Sequence, residues 1–336
     1  MKLTCYTYQL QFKHPFRIAH GMRTHTPVVY VKLEQDNCIG WGEATLPPYL
    51  PETQQTVIAF VQQFAQARGN AGILEWQQAL DVVPAGNYAA RAALDMALWQ
   101  LRAQLEQTTI QDLLGVNATA FPPCTYTIGV SDAVGMQQKI EEAEAAGFTL
   151  FKLKLNGEND AAKIEQFRSL SVAPFAVDMN QGWRNRIEVA DFINTTLVQS
   201  GCLLVEQPLQ KDELLLMQQV KAAAQLPLYA DESCQTVEDV ERMCNSFDGI
   251  NIKLMKCGGL TNALRMIKRA RALDLKVLIG CMSESSVGCT AAAALTPLAD
   301  YADLDGPYLI ANDPFTGMKV ADGRIALHPL QQIAAL

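Results

Sequence analysis

A modified TIM barrel of the (β/α)7β kind, preceded by an α+β capping domain, is the fold class that this 336-residue chain predicts. Two observations carry it: eight short apolar runs alternate with polar helical stretches between residues 124 and 305, and five of the middle runs carry a charged residue at or near their ends. FKLKL (151–155), FAVDM (175–179), LLVEQ (203–207), LYADE (228–232) and INIKL (250–254) read as parallel strands, because a sheet covered on both faces needs apolar side chains at nearly every position. Their charged residues Lys154, Asp178, Glu206, Asp231 and Lys253 follow one another at 24, 28, 25 and 22 residues, the length of one strand, a return helix and two loops. CTYTIG (124–129) supplies the first strand, and VLIGCM (277–282) and YADLD (301–305) the last two.

The cap is read from the residues ahead of the barrel. TCYTYQLQF (4–12), VVYVKLE (28–34) and CIGWGEAT (38–45) are strand-like, and HPFRIAHGMRTHTP (14–27) holds turn residues that predict a mobile loop over the barrel mouth. LPPYLPET (46–53) is a second covering loop, whose Tyr49 and Leu50 either shape the mouth or simply pack on the cap. Residues 53–67 and 89–105 are amphipathic helices, with Arg91 and Asp95 spaced as a surface pair. Turn signals in GVNATAFPP (115–123) place the boundary near 116–122. The expected organisation is a cap over 1–118, a barrel over 119–310 and a segment over 311–336 that returns to the cap.

In a parallel barrel the C-terminal strand ends converge on one mouth, where residues distant in sequence share a centre. A single acid after a strand can equally cap the next helix. Asp178, Glu206 and Asp231 on three neighbouring strands are another matter, since three close like charges repel unless a cation lies between them. Oxygen-only ligation selects a hard ion, Mg²⁺. Lys154 and Lys253, on the second and sixth strands, stand across the ring and can take a proton from one face of a substrate and return one to the other. Cation and ammonium neighbours should lower their pKa toward the range of a useful base. Lys152, two residues before Lys154, can polarise a carboxylate of the substrate, whereas Lys256 reads as a loop or helix-start residue. Proton abstraction beside a carboxylate is the implied reaction, because so weak a carbon acid needs concentrated positive charge.

Asp303 and Asp305, in DLDGP (303–307), share one side of a strand at i and i+2 and offer an anionic pocket for an α-ammonium group. A turn before Gly-Pro is the competing reading. Met282, closing the seventh run, should contact substrate. Arg23 can grip a substrate side-chain carboxylate bidentately or stand as an ordinary exposed arginine. Cys281 and Cys289 are read as thiols flanking the seventh strand end, with a lesser chance of touching substrate.

KLK (152–154), VDMNQGW (177–183), VEQP (205–208), ADES (230–233) and NIKLMKCGG (251–259) together resemble the enolase superfamily, in its muconate-lactonizing-enzyme subgroup with paired lysines. The resemblance spans nearly the whole chain. It implies Lys154 and Lys253 as the two bases and Asp178, Glu206 and Asp231 as Mg²⁺ ligands. The lack of His between residues 26 and 327 sets aside the His-dependent racemases. DLDGP is similar to the dipeptide epimerases, in which the two aspartates hold the substrate's N-terminal ammonium, and FRIAHGMR (16–23) looks like the L-Ala-D/L-Glu epimerases, in which an arginine holds the glutamate side chain. Glu284, in GCMSESSVG (280–288), matches a glutamate of the cycloisomerases and is expected at the substrate site, bonded to a neighbouring lysine. Such a match keeps an o-succinylbenzoate synthase or a cycloisomerase-type lyase as the rival, and a silent scaffold as a third reading that six desolvated charges disfavour.

Composition adds exclusions. A net charge of −8 disfavours nucleic acid as a partner, and no apolar run is long enough to span a membrane. A cytoplasmic enzyme acting on a small-molecule dipeptide is the expectation, with a homo-oligomer left open. Nine cysteines without a CxxC pair read as reduced, buried thiols rather than a disulfide or zinc framework.

Overall fold

The structure is a computed structural model that describes residues 1–18, 21–117, 119–129, 131–183 and 186–336. Three antiparallel strands open the chain: β1 (Lys2–Ile18), β2 (Gly21–Gln35) and β3 (Cys38–Thr45). Residues 14–18 and 21–27, expected as loop, are therefore strand. Phe16 pairs with Arg23 and Ile18 with Gly21, beyond a register shift between Gln11 and Phe16 that takes up the extra residues of β1. Pro27 is tolerated because β3 stops pairing at Val28, so the β3-side edge at Pro27 takes only the Leu46 amide on the Pro27 carbonyl and needs no donor there. Ala19 and His20 of FRIAHGMR lie outside the described residues.

Helix Tyr88–Leu105 lies across β3, and the contact is close because β3 presents glycines to an alanine-rich helix. A Cβ on Gly42 would come 1.8 Å from the Ala93 carbonyl oxygen, and one on Gly40 2.0 Å from that of Ala97. The opposite side of the helix faces the barrel, which corrects the reading of Arg91 and Asp95 as a surface pair. Both are buried, and the Asp95 carboxylate accepts from the Thr261 hydroxyl (2.6 Å) and amide (3.1 Å). It thus caps helix Leu260–Ala272, whose own N-cap Gly259 has no side chain to do so. Residues 89–98 of this helix are all buried, so Arg91 and Asp95 have no solvated face.

Eight parallel strands follow: β4 (Thr125–Ile128), β5 (Leu150–Lys154), β6 (Phe175–Asp178), β7 (Cys202–Glu206), β8 (Leu228–Ala230), β9 (Gly249–Lys253), β10 (Lys276–Gly280) and β11 (Tyr301–Asp303). They are hydrogen-bonded in sequence order, and a parallel bridge from Cys124 to Ala302 closes the ring. Ala176, Leu204, Tyr229, Leu278 and Tyr301 form one apolar layer inside the barrel. Two residues further along their strands stand Asp178, Glu206, Asp231, Gly280 and Asp303. The strand period of two thus places a charged layer at the mouth above an apolar plug.

After the barrel, Phe315 packs against Tyr30 and Trp41 of the cap, with ring centroids 5.2 and 5.0 Å apart, and the Asn312 side chain bonds Gln9 and Gln11 of β1. The hairpin of Lys319–Ala321 and Arg324–Ala326 lies beside the start of β4, where Cys124 donates to Gly323. Among the described residues no helix is long and apolar enough to cross a membrane. All nine cysteines are free thiols; six are buried, while Cys5, Cys38 and Cys244 are partly exposed.

Candidate active site

Strand register assembles the acidic centre. Asp178 on β6 pairs with Lys154 on one side and Glu206 on the other, and Asp231 follows directly on β8. Carboxylate oxygens of Asp178, Glu206 and Asp231 lie within 4.8 Å of one another, in residues at most 3% exposed. Three buried carboxylates aimed at one point, with no sulfur or imidazole among them, fit a hard divalent cation.

The protein surrounds this centre with its own cations. Lys152 Nζ is 2.7 Å from Glu206 Oε2, 2.8 Å from Asp303 Oδ2 and 3.2 Å from Asp178 Oδ2. Lys154 Nζ donates to Asp178 Oδ2 (2.5 Å) and to Asn180 Oδ1 (3.1 Å). On the far side, Asp231 is held by Lys253 (2.7 Å) and Lys256 (2.6 Å). Burial pulls the lysine pKa values down, but carboxylates overcome it: Asp303, Glu206 and Asp178 hold Lys152 well above the ordinary value, and Asp231 does the same for Lys253. The lowering expected for Lys253 is therefore corrected for the protein's own charges, since the expectation counted neighbouring amines and a cation without the carboxylates at contact distance. Burial pushes Asp178 upward, yet Lys154 and Lys152 bring it down to about 2. Glu206 goes the other way, up to about 7, through burial and the adjacent Asp178.

A cavity of about 420 Å³ opens over this layer. Lys154 and Lys253 line it from strands four apart in the ring of eight, so they face each other. Lys152, Asp303, Asp305, Arg23 and Met282 line it as well. Asp303 ends β11 and accepts from the Thr125 hydroxyl (2.5 Å) and Lys152. Asp305 lies past the strand end, not on it, and its carboxylate accepts from the Thr127 amide (2.6 Å) while making no cap bond to the short helix Gly306–Leu309. Burial and Asp303 push Asp305 up to about 7. The Arg23 side chain donates to Thr26 Oγ1 (3.1 Å) and lies over the rings of Phe12 and Tyr49. Tyr49 and Leu50 line the cavity too, and the Tyr49 hydroxyl meets Met282 Sδ at 3.2 Å.

Glu284 does not join them. It is fully buried, Oε1 accepts from the Met282 amide (3.1 Å), and no hydrogen bond or ion pair links it to a lysine among the described residues. Burial and the nearby Glu43 push its carboxyl up to about 8, which disfavours the charged form that an ion pair with lysine needs. Cys281 lines the cavity and Cys289 is buried behind it.

Several members escaped the sequence reading. Asn251 Nδ2 donates to Glu206 Oε1 (2.8 Å), in space that a side chain on Gly280 would fill. Asn180 links Lys154 to Glu232, and Lys256, besides the Asp231 carboxylate, bonds the backbone carbonyls of Asp231, Cys234 and Asn251. Asn180 and Asn251 stand two residues from a charged strand-end position, the inward period that could have found them.

Residues 2–115 match the mandelate racemase/muconate lactonizing enzyme N-terminal domain, and residues 135–329 the enolase C-terminal domain-like family. The chain belongs to the enolase superfamily. Among other members, it is 39% identical to the L-Ala-D/L-Glu epimerase of Bacteroides thetaiotaomicron, across 100% of this chain and 88% of that one. The substrate-liganded L-Ala-D/L-Glu epimerase of Bacillus subtilis superposes with a TM-score of 0.89 at 27% identity, covering 99% of this chain and 97% of that one. The dipeptide epimerase of Enterococcus faecalis, solved with Mg and L-Leu-L-Tyr, superposes at 0.86 with 28% identity, covering 99% and 96%. One of these two solved relatives is named for L-Ala-D/L-Glu and the other was solved with L-Leu-L-Tyr, so this one fold accompanies different dipeptides.

Proposed function

We propose that the chain is a dipeptide epimerase that inverts the α-carbon of the second residue, with L-Ala-L-Glu and L-Ala-D-Glu as its substrate pair. One observation carries the reading: a single cavity sets Lys154 and Lys253 on opposite strands and the pair Asp303 and Asp305 on a third side. Two opposed amines suit removal of a proton from one face and delivery to the other, and an acidic pair away from the metal ligands suits a free α-ammonium group.

Asp178, Glu206 and Asp231 would hold the divalent ion, Mg²⁺, whose charge makes the α-hydrogen of a carboxylate more acidic and stabilises the enolate. The protein's own residues do the rest. Lys152, contacted by three carboxylates, stays an ammonium and contributes fixed positive charge between the metal ligands and Asp303. Of Lys154 and Lys253, the one in the amine form takes the α-proton and the opposite one, as ammonium, supplies a proton to the other face. The dipeptide's ammonium is bound by Asp305 and by Asp303, which it shares with Lys152. Arg23 faces the second residue's side chain and favours a carboxylate there. Residues 1–118 would set specificity, and 119–310 hold the chemistry.

The test is direct. Purified protein with Mg²⁺ should convert L-Ala-L-Glu to a mixture with L-Ala-D-Glu, followed by chiral chromatography after hydrolysis. A configuration unchanged after prolonged incubation rejects the reading.

A further inference from the structure

The cavity wall is built from two domains, and one buried carboxylate of the cap holds the pieces together. Glu43, fully buried on β3, lies two residues before the end of that strand. Its Oε1 accepts from the Ser285 amide (2.9 Å) and the Thr45 hydroxyl (2.6 Å), and its Oε2 accepts from the Ser285 hydroxyl (2.6 Å) and the Gly288 amide (3.0 Å). Ser285 and Gly288 belong to the barrel, at the start of helix Ser286–Ala293, where unsatisfied amides favour a negative charge. The carboxylate therefore bonds both sides of the domain boundary.

Both neighbours of this clamp reach the cavity. Downstream of Thr45 the cap chain runs directly into Tyr49 and Leu50, and upstream of Ser285 the barrel chain carries Cys281 and Met282. The two stretches meet where the Tyr49 hydroxyl touches Met282 Sδ. No other contact ties both stretches to a single buried charge among the described residues.

We propose that Glu43 is a positioning residue: by clamping Ser285 and Gly288 to the end of β3 it sets the wall formed by Tyr49, Leu50 and Met282, and thereby the fit of the substrate side chain. The inference rests on the dipeptide reading for its substrate. Glu43 touches neither the lysines nor the metal ligands, so its loss acts on binding before chemistry. A loosened wall weakens ground-state and transition-state contacts alike, which raises KM and spares kcat.

Glu43→Gln and Ser285→Ala test it in the full-length enzyme. Glu43→Gln turns one acceptor into a donor facing amide hydrogens and should raise KM for Ala-Glu roughly tenfold, with kcat changed less than about threefold. Ser285→Ala should move KM the same way by less, and the double variant should be no worse than Glu43→Gln. Amide hydrogen exchange should quicken in 281–288 and in 46–51 and leave the strand ends carrying Lys154 and Lys253 unchanged. A merely structural role would lower the melting temperature and leave KM of the folded enzyme as it was, and that result overturns the inference. Should Glu43→Gln not fold, an unchanged KM in Ser285→Ala overturns it equally. If the unaltered enzyme turns over no dipeptide, the functional reading fails, while local exchange at 281–288 still tests the clamp.

Discussion

Two acidic groups share the barrel mouth, and their surroundings differ. Asp178 and Asp231 are each contacted by two lysine ammonium groups and Glu206 by one. On the other side Asp303 shares Lys152, while Asp305 has a backbone amide and a distant thiol, Cys281 Sγ at 4.0 Å, among its described partners. The contrast shows in the charges: Asp178 is held down to about 2 by its lysines, and Asp305 is pushed up to about 7 by burial and Asp303. On the proposed reading the triad would exchange lysine contacts for a metal ion, and the pair would receive a cation that arrives with the substrate.

Removing triad charge should have the largest effect. Asp178→Asn, Glu206→Gln or Asp231→Asn should each lower kcat/KM by more than roughly a thousandfold, as should chelation in the unaltered enzyme, with near-native circular dichroism. Next come the amines. Lys154→Ala and Lys253→Ala should each cost roughly 10²–10⁴-fold in epimerisation, the worth of a positioned acid or base, and each variant should still exchange the α-hydrogen of one enantiomer. A variant that epimerises normally removes that lysine from the pair.

The acidic pair ranks below. Asp303→Asn or Asp305→Asn should lower kcat/KM for free dipeptides by roughly thirtyfold to several thousandfold, since truncating one partner of a buried charge pair costs about 2–5 kcal/mol. The pH profile sharpens this. Asp305 must be ionised to hold an ammonium, so with its carboxyl raised to about 7, kcat/KM should climb as pH rises through that value. It should fall again above about 8, where an α-amino group loses its proton. A flat profile from pH 6 to 8 would detach Asp305 from binding. Smaller still is Arg23→Met, which should raise KM roughly tenfold for Ala-Glu and leave dipeptides with apolar second residues nearly unchanged.

The barrel was legible because its signal is local and repeated: an apolar run, a charge, a helix, at near-constant spacing. Lys154, Asp178, Glu206, Asp231 and Lys253 stand at successive strand ends, and parallel strands in register bring such residues together without further information. The cap was less legible where turn residues sat in a ladder, as with Pro27, whose tolerance depends on where the neighbouring strand stops. Asp95 and Glu43 were missed for a related reason. Each is a charged residue in an otherwise ordinary element, and its partner, Thr261 or Ser285, lies 166 or 242 residues away. Glu284 misled because family likeness places it near a lysine, whereas the charge needed for that bond is suppressed by burial and by Glu43.

Solvent exchange tests the central claim most directly. In D₂O with Mg²⁺, L-Ala-L-Glu should gain one deuterium at the glutamate α-carbon and appear as both epimers by mass spectrometry and chiral separation, while N-acetyl-L-Ala-L-Glu, lacking the ammonium, should react far more slowly. Equal rates for the free and acetylated dipeptides, or no α-deuterium in either, would contradict a dipeptide epimerase that holds its substrate through Asp303 and Asp305.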